Sequence, residues 1–159
     1  MKRGVLIFLF VAAMVLADQG TKHLAETSIS SSESIGVLPF LSLVNVRNEG
    51  AAFGLFKALG NKFFIAVSLL AIGFMIGLLW RGRDSTFSLS LILAGATGNL
   101  IDRLLYGYVR DFIDVFIGRH HWPAFNVADS CLTVGILWLL ISPAVKRPIG
   151  KKPMGKRKA

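Results

Sequence analysis

Cysteine, histidine and charge are all scarce in this chain of 159 residues. The one cysteine, Cys131, excludes an intramolecular disulfide. It lies in an apolar stretch, where a cysteine behaves as a small hydrophobe. As a nucleophile it would need a neighbouring histidine, and His23, His120 and His121 all fall outside the apolar runs. There is no H-E-x-x-H, no His/Asp/Cys grouping at metal spacing and no G-x-S-x-G, which argues against a zinc protease and a serine hydrolase. Charged residues make up only 17% of the chain, against about a quarter in a soluble domain.

Long apolar runs take the place of charge. Gly4–Ala17, Phe63–Trp80, Ser85–Ile101 and Trp122–Val145 hold 14, 18, 17 and 24 residues, the last interrupted only by Asn126 and Asp129. A spanning helix needs about 20 residues. The expected architecture is four membrane helices, Gly4–Leu24, Asn61–Trp80, Ser85–Leu105 and Trp122–Val145, in one domain over residues 1–145. The start of the chain, Lys2-Arg3 before a short apolar run, also has the pattern of a secretory signal peptide. Three later spans favour an uncleaved first helix.

The net charge of +9 invites a nucleic-acid reading, which its distribution opposes. Seven of the 18 basic residues lie in the tail 146–159, and Lys2, Arg3, Arg81 and Arg83 fall on the same side of a four-span topology. The positive-inside rule makes that side cytoplasmic and places both termini there. The tail is expected to be disordered and drawn to anionic lipid, with no nucleic-acid partner.

Between the runs, Ala25–Ser34 reads as a polar linker. Gly36–Phe56 reads as a small β-hairpin or sheet on the outer face, with a turn at Asn48-Glu49-Gly50. Tyr106–His121 reads as an outer loop with an amphipathic stretch at Val109–Phe116.

The acids in this apolar setting carry the functional signal. A carboxylate in hydrocarbon costs at least ~2.5–3.5 kcal/mol and marks a functional hypothesis. By helix rise, Asp18 lies ~21 Å and Asp102 ~25 Å above the inner face, and Asp129 ~10 Å below the outer one. Asp111, Asp114 and Asn48 reach the same layer from outside. Two carboxylates in a partly dry site share one proton. One can then activate water while the other protonates a carbonyl, as in aspartic proteases, with no metal or cofactor. Asn99 and Asn126 could hold the carboxyls or substrate, and Arg103 could orient an acid. Asp18, Asp102 and Arg103 could equally hold the bundle together. A proton path or assembly scaffold could use the same acids. If Val109–Phe116 were helical, Asp114 would share a face with Asp111 and rival it as the partner of Asp129.

Five motifs stand in order: Asp18-Gln19-x-x-Lys22, Asn48-x-Gly50-Ala51-Ala52-Phe53-Gly54, Gly98-Asn99-Leu100-Ile101-Asp102-Arg103, Val109-x-Asp111-Phe112-x-Asp114 and Phe125-Asn126-x-Ala128-Asp129. Together they resemble the lipoprotein signal peptidase family, signal peptidase II, over about residues 4–145. The resemblance implies an aspartyl endopeptidase of the bacterial inner membrane. It would cut the signal peptide from a prolipoprotein before a diacylglyceryl-modified cysteine, and is expected to act as a monomer. Asp111 and Asp129 match the family's catalytic pair. Asp18, Lys22, Asn48, Gly54, Asn99, Asp102, Arg103 and Asn126 match its supporting and substrate-binding residues. The implied fold has four membrane helices, a small periplasmic β-cradle and a short extracytoplasmic helix. Two departures stand out: Ala94 before Gly95, where a glycine pair is common, and Arg110, where an apolar residue is common.

Overall fold

The most buried helix of the chain is α3, Thr86–Leu105, which packs against the three other helices. The structure, a computed structural model, describes residues 2–50, 56–82 and 85–142. The expected tail 146–159 and Gly54 lie outside these residues. Around α3 stand α1, Lys2–Ser28, α2, Gly60–Trp80, and α4, Val127–Ile141. Small residues on α3 permit close approach. A Cβ on Gly98 would lie 2.6 Å from Asp18 Oδ2 and 3.1 Å from the Ala128 methyl. Gly98→Ala should therefore push α1 and α4 from α3. Overpacking of this kind costs about 1–3 kcal/mol, which thermal unfolding in detergent would register as a lower Tm.

None of the 21 residues of α2 is buried, although most are apolar. A helix that is hydrophobic all round needs an apolar environment, here lipid. Two helices, Lys2–Ser28 and Lys57–Trp80, are long and apolar enough to cross a membrane. The 15 described residues of α4 form a shorter apolar helix, and α3 carries Asn99, Asp102 and Arg103 in its last turns. The fold is thus mainly helical with a small antiparallel sheet, and the four expected helices are present as helices.

The sheet runs in the order β1, Ser34–Leu38, β2, Leu41–Asn48, β3, Val109–Ile117, and β4, His120–His121. All neighbours are antiparallel, with Val46 opposite Asp111, Arg47 opposite Arg110 and Asn48 opposite Val109. Ala25 near the C-terminal end of α1 and Ile29 just after it pack with Phe112 of β3, backed by Leu43, Ile113 and Val127. This cluster seats the sheet on the helices.

Three expectations need correction. The first helix runs four residues past Leu24, so the linker is shorter than Ala25–Ser34. Val109–Phe116, expected as an amphipathic stretch of an outer loop, is a strand, because its β-branched residues pair with β2. The last helix begins at Val127 rather than Trp122. Pro123 disfavours helical backbone at Trp122, and Asn126 caps the helix. Outside the four helices, the described residues hold one further helical turn, the 3-10 segment Lys57–Leu59.

Candidate active site

The late start of α4 puts Asp129 in its first turn. Asn126 is the N-cap. Its Oδ1 accepts from the Asp129 amide at 2.8 Å, and the Asp129 carboxylate accepts from the Asn126 amide at 3.3 Å. This reciprocal capping box satisfies two helix-end donors. It also fixes the Asp129 side chain.

Asn126 reaches the second acid as well. Its Nδ2 donates to Asp111 Oδ1 at 2.7 Å. Asn48 Nδ2, from the end of β2, donates to Asp111 Oδ2 at 2.9 Å. Asn99 Nδ2, from α3, donates to Asp129 Oδ1 at 2.8 Å. Three asparagines from three elements thus hold two aspartates, and Asn126 touches both. Asp111 is only 2% exposed. Burial first, and then the neighbouring Asp129 carboxylate, push its carboxyl up to about 7.

A buried ionic layer supports this one. Lys22 Nζ lies 2.8 Å from Asp18, 3.2 Å from Asp102 and 3.0 Å from Asn99 Oδ1. The last contact turns the Asn99 amide group toward Asp129. Asp18 Oδ1 accepts from the Ala128 amide at 2.8 Å, tying α1 to the start of α4. Gln19 Nε2 lies 3.1 Å from Asp18, Asp102 and the Gly98 carbonyl. Arg103 Nη2 donates to the Gly50 carbonyl at 2.7 Å, and the guanidinium lies over the Phe64 ring. The Gly50 amide in turn donates to Asn48 Oδ1 at 3.0 Å, which links Arg103 to the asparagine that holds Asp111.

A cleft of about 770 Å³ opens between α2, α3 and α4. Asn48, Asn99, Arg103 and Asp129 form its polar wall, and Val67, Ala71, Leu132 and Trp122 are among its apolar lining. Asp111 sits one layer in, bonded to Asn48 of that wall. Among the described residues no group of His, Cys, Asp and Glu is arranged for a metal ion.

Asp18, Lys22, Asn48, Asn99, Asp102, Arg103, Asp111, Asn126 and Asp129 therefore form one connected region, Arg103 joining through Gly50. Asp114 does not join it. On a strand, residues three apart face opposite ways, and Asp114 bonds Ser42 Oγ at 3.1 Å and His121 Nδ1 at 2.9 Å. Sequence reasoning missed the roles of Arg110 and Glu26, which meet at 3.1 Å. The only sequence signal was a charged residue at 110 where an apolar one is common.

A profile of the family described as signal peptidase (SPase) II matches residues 10–145. The chain belongs to the signal peptidase II family. The lipoprotein signal peptidase of Thermodesulfovibrio yellowstonii is 49% identical, over 86% of this chain and 90% of its own length. That of Syntrophus aciditrophicus is 41% identical, over 92% and 98%. A bacterial membrane enzyme solved by the in meso method at 2.3 Å matches with TM-score 0.78 and 35% identity, covering 86% of this chain and 85% of that one. A second, at 1.9 Å, matches with TM-score 0.75 and 35% identity, covering 86% and 90%. This peptidase is thus a hydrolase of lipoprotein processing, a bacterial membrane protein that acts on prolipoproteins. The reading as a non-enzymatic proton path or scaffold is not favoured.

Proposed function

We propose that Asp111 and Asp129 are the catalytic pair of an aspartyl endopeptidase and share one proton. The observation that carries this is Asn126, whose side-chain amide donates to Asp111 Oδ1 and whose backbone amide donates to Asp129 Oδ2, so that one residue fixes each carboxyl relative to the other. The ionised member takes a proton from a water as that water attacks the scissile carbonyl carbon. The protonated member gives its proton to the carbonyl oxygen. Collapse of the tetrahedral intermediate sends a proton to the leaving nitrogen, and the pair again holds one proton.

The substrate is a prolipoprotein whose signal peptide lies as an apolar helix in the cleft. Cleavage falls before the diacylglyceryl cysteine, whose acyl chains stay in the bilayer. In this arrangement the sheet and the pair face the periplasm of the inner membrane. Both termini are cytoplasmic, and a monomer suffices. Asn48 at the cleft wall is on the substrate side, and Gly54, outside the described residues, is assigned to substrate binding by the family resemblance alone. No cofactor takes part.

A pH profile follows from Asp111. The competent form holds one shared proton, so the rate falls as pH rises through about 7, where Asp111 loses it, and falls again at acid pH, where a second proton neutralises the pair. Stability follows the same sign. The folded value lies above the ordinary carboxylate range, so the contribution is complete below about 4 and is lost as pH rises through about 7. Asp129→Asn removes the neighbouring charge and should lower the Asp111 value, which carboxyl carbon NMR would read.

The direct test is cleavage in nanodiscs of a diacylglyceryl-modified prolipoprotein beside its unlipidated twin. Cleavage before the modified cysteine, with the twin left intact, is expected. Equal cutting of both would remove the lipid from the recognition scheme.

A further inference from the structure

Arg110 precedes Asp111 on β3, is 5% exposed and is held at every polar part of its backbone. Its amide donates to Asp102 Oδ2 at 2.9 Å. Its carbonyl lies 3.3 Å from Asn126 Nδ2, the same nitrogen that donates to Asp111. The side chain is held at both terminal nitrogens, while Nε is buried without a hydrogen-bond partner among the described residues. Nη2 meets Asp102 Oδ1 at 2.8 Å and Gln19 Oε1 at 3.0 Å, and Nη1 meets Glu26 at 3.1 Å. The guanidinium carbon lies 4.4 Å from the centre of the Tyr106 ring.

A buried guanidinium is costly to desolvate and is retained only with good partners. Here Asp102 binds both the backbone and the side chain of one residue. Arg110 thereby joins α1 and α3 to the strand that carries Asp111. The neighbouring ladder is irregular between Leu43 and Val46, beside the Val46–Asp111 pair. The sheet alone therefore gives Asp111 an imperfect anchor.

We propose that Arg110 is a positioning residue for Asp111, acting through its fork to Asp102, Gln19 and Glu26. This rests on Asp111 being catalytic. A displacement of about 1 Å in a reacting group can cost ~10²-fold in rate, so a residue that fixes the backbone beside Asp111 sets kcat. It touches no substrate, so KM is spared.

The test is steady-state cleavage of a lipidated prolipoprotein, normalised to folded enzyme, by wild type, Arg110→Leu, Arg110→Lys, Glu26→Gln and Asp111→Asn. Arg110→Leu should lose roughly 10–100-fold in kcat with KM unchanged. Arg110→Lys keeps the charge but cannot reach all three partners at once, and should fall between Arg110→Leu and wild type. Glu26→Gln keeps an acceptor for Nη1 and should stay near wild type. Wild-type kcat in Arg110→Leu, or a raised KM with kcat intact, would overturn the proposal. If Arg110→Leu does not fold, wild-type kcat in Arg110→Lys overturns it. Asp111→Asn separates the two readings. An active Asp111→Asn enzyme removes the catalytic pair itself, whereas an inactive one beside a fully active Arg110→Leu removes only the positioning role.

Discussion

Asp129→Asn leaves a folded protein that cleaves at least ~10²–10⁴-fold more slowly, the range a positioned acid or base contributes. The fold tolerates this change because asparagine keeps an acceptor for Asn99 Nδ2 at 2.8 Å. It loses only the weak 3.3 Å contact with the Asn126 amide. Removing one of two neighbouring buried acids also relieves their repulsion. Thermal unfolding of this variant should therefore match or exceed wild type. Asp111→Asn is equally inactive but less stable. Both oxygens of Asp111 accept from asparagine amides, Asn48 and Asn126. An asparagine at 111 sets its own amide nitrogen against one of those donors, and an unsatisfied buried polar group costs about 1–3 kcal/mol. The pair of results separates chemistry from support. Near-normal turnover by either variant, per folded molecule, would remove that residue from the mechanism.

The helices were legible because apolar helices leave long uncharged runs, and a stretch of 17 or 18 residues seldom stays uninterrupted by accident. Asp129 was legible because it stands out within such a run, and Asp18 and Asp102 because each directly follows one, whereas Asp111 lies in the loop between runs and was marked by its motif. The start of α4 was misplaced by the same reasoning, since Trp122–Phe125 is apolar whether helical or extended. Pro123 and the Asn126-x-x-Asp129 spacing carried the better signal, a helix opening with its own cap. β3 was harder. Its acids at 111 and 114 suggested one helical face, and only pairing with β2, about 65 residues away, decides for strand. The arginine at 110 had no local meaning at all. Its partner Glu26 is 84 residues distant, and periodicity says nothing of such pairs. Sequence thus exposed the groups that stand out against hydrocarbon. It concealed the residues that hold them in place, because those are defined by long-range contact.

Lys22→Met should be the most damaging change outside the catalytic pair. Lys22 is fully buried, with Asp18 and Asp102 as ion partners. Removing one member of a buried ionic group typically costs about 3–5 kcal/mol, because the remaining charges lose their compensation. The two acids are not left equally exposed to that loss. Asp102 keeps Arg110 through the guanidinium and the backbone amide, whereas Asp18 keeps only neutral donors, Gln19 and the Ala128 amide. Neutralising Asp18 should therefore rescue Lys22→Met better than neutralising Asp102, which would leave Arg110 with Glu26 alone for charge. The ordering expected in thermal unfolding is wild type, then Lys22→Met with Asp18→Asn, then Lys22→Met with Asp102→Asn, then Lys22→Met alone. Activity should recover less than stability in the first double variant. Lys22 also holds Asn99 Oδ1 at 3.0 Å, and without it nothing charged keeps the Asn99 amide turned toward Asp129. Equal rescue by the two neutralising changes would show that Arg110 does not compensate Asp102, and full activity in the first double variant would show that Asn99 holds its orientation unaided.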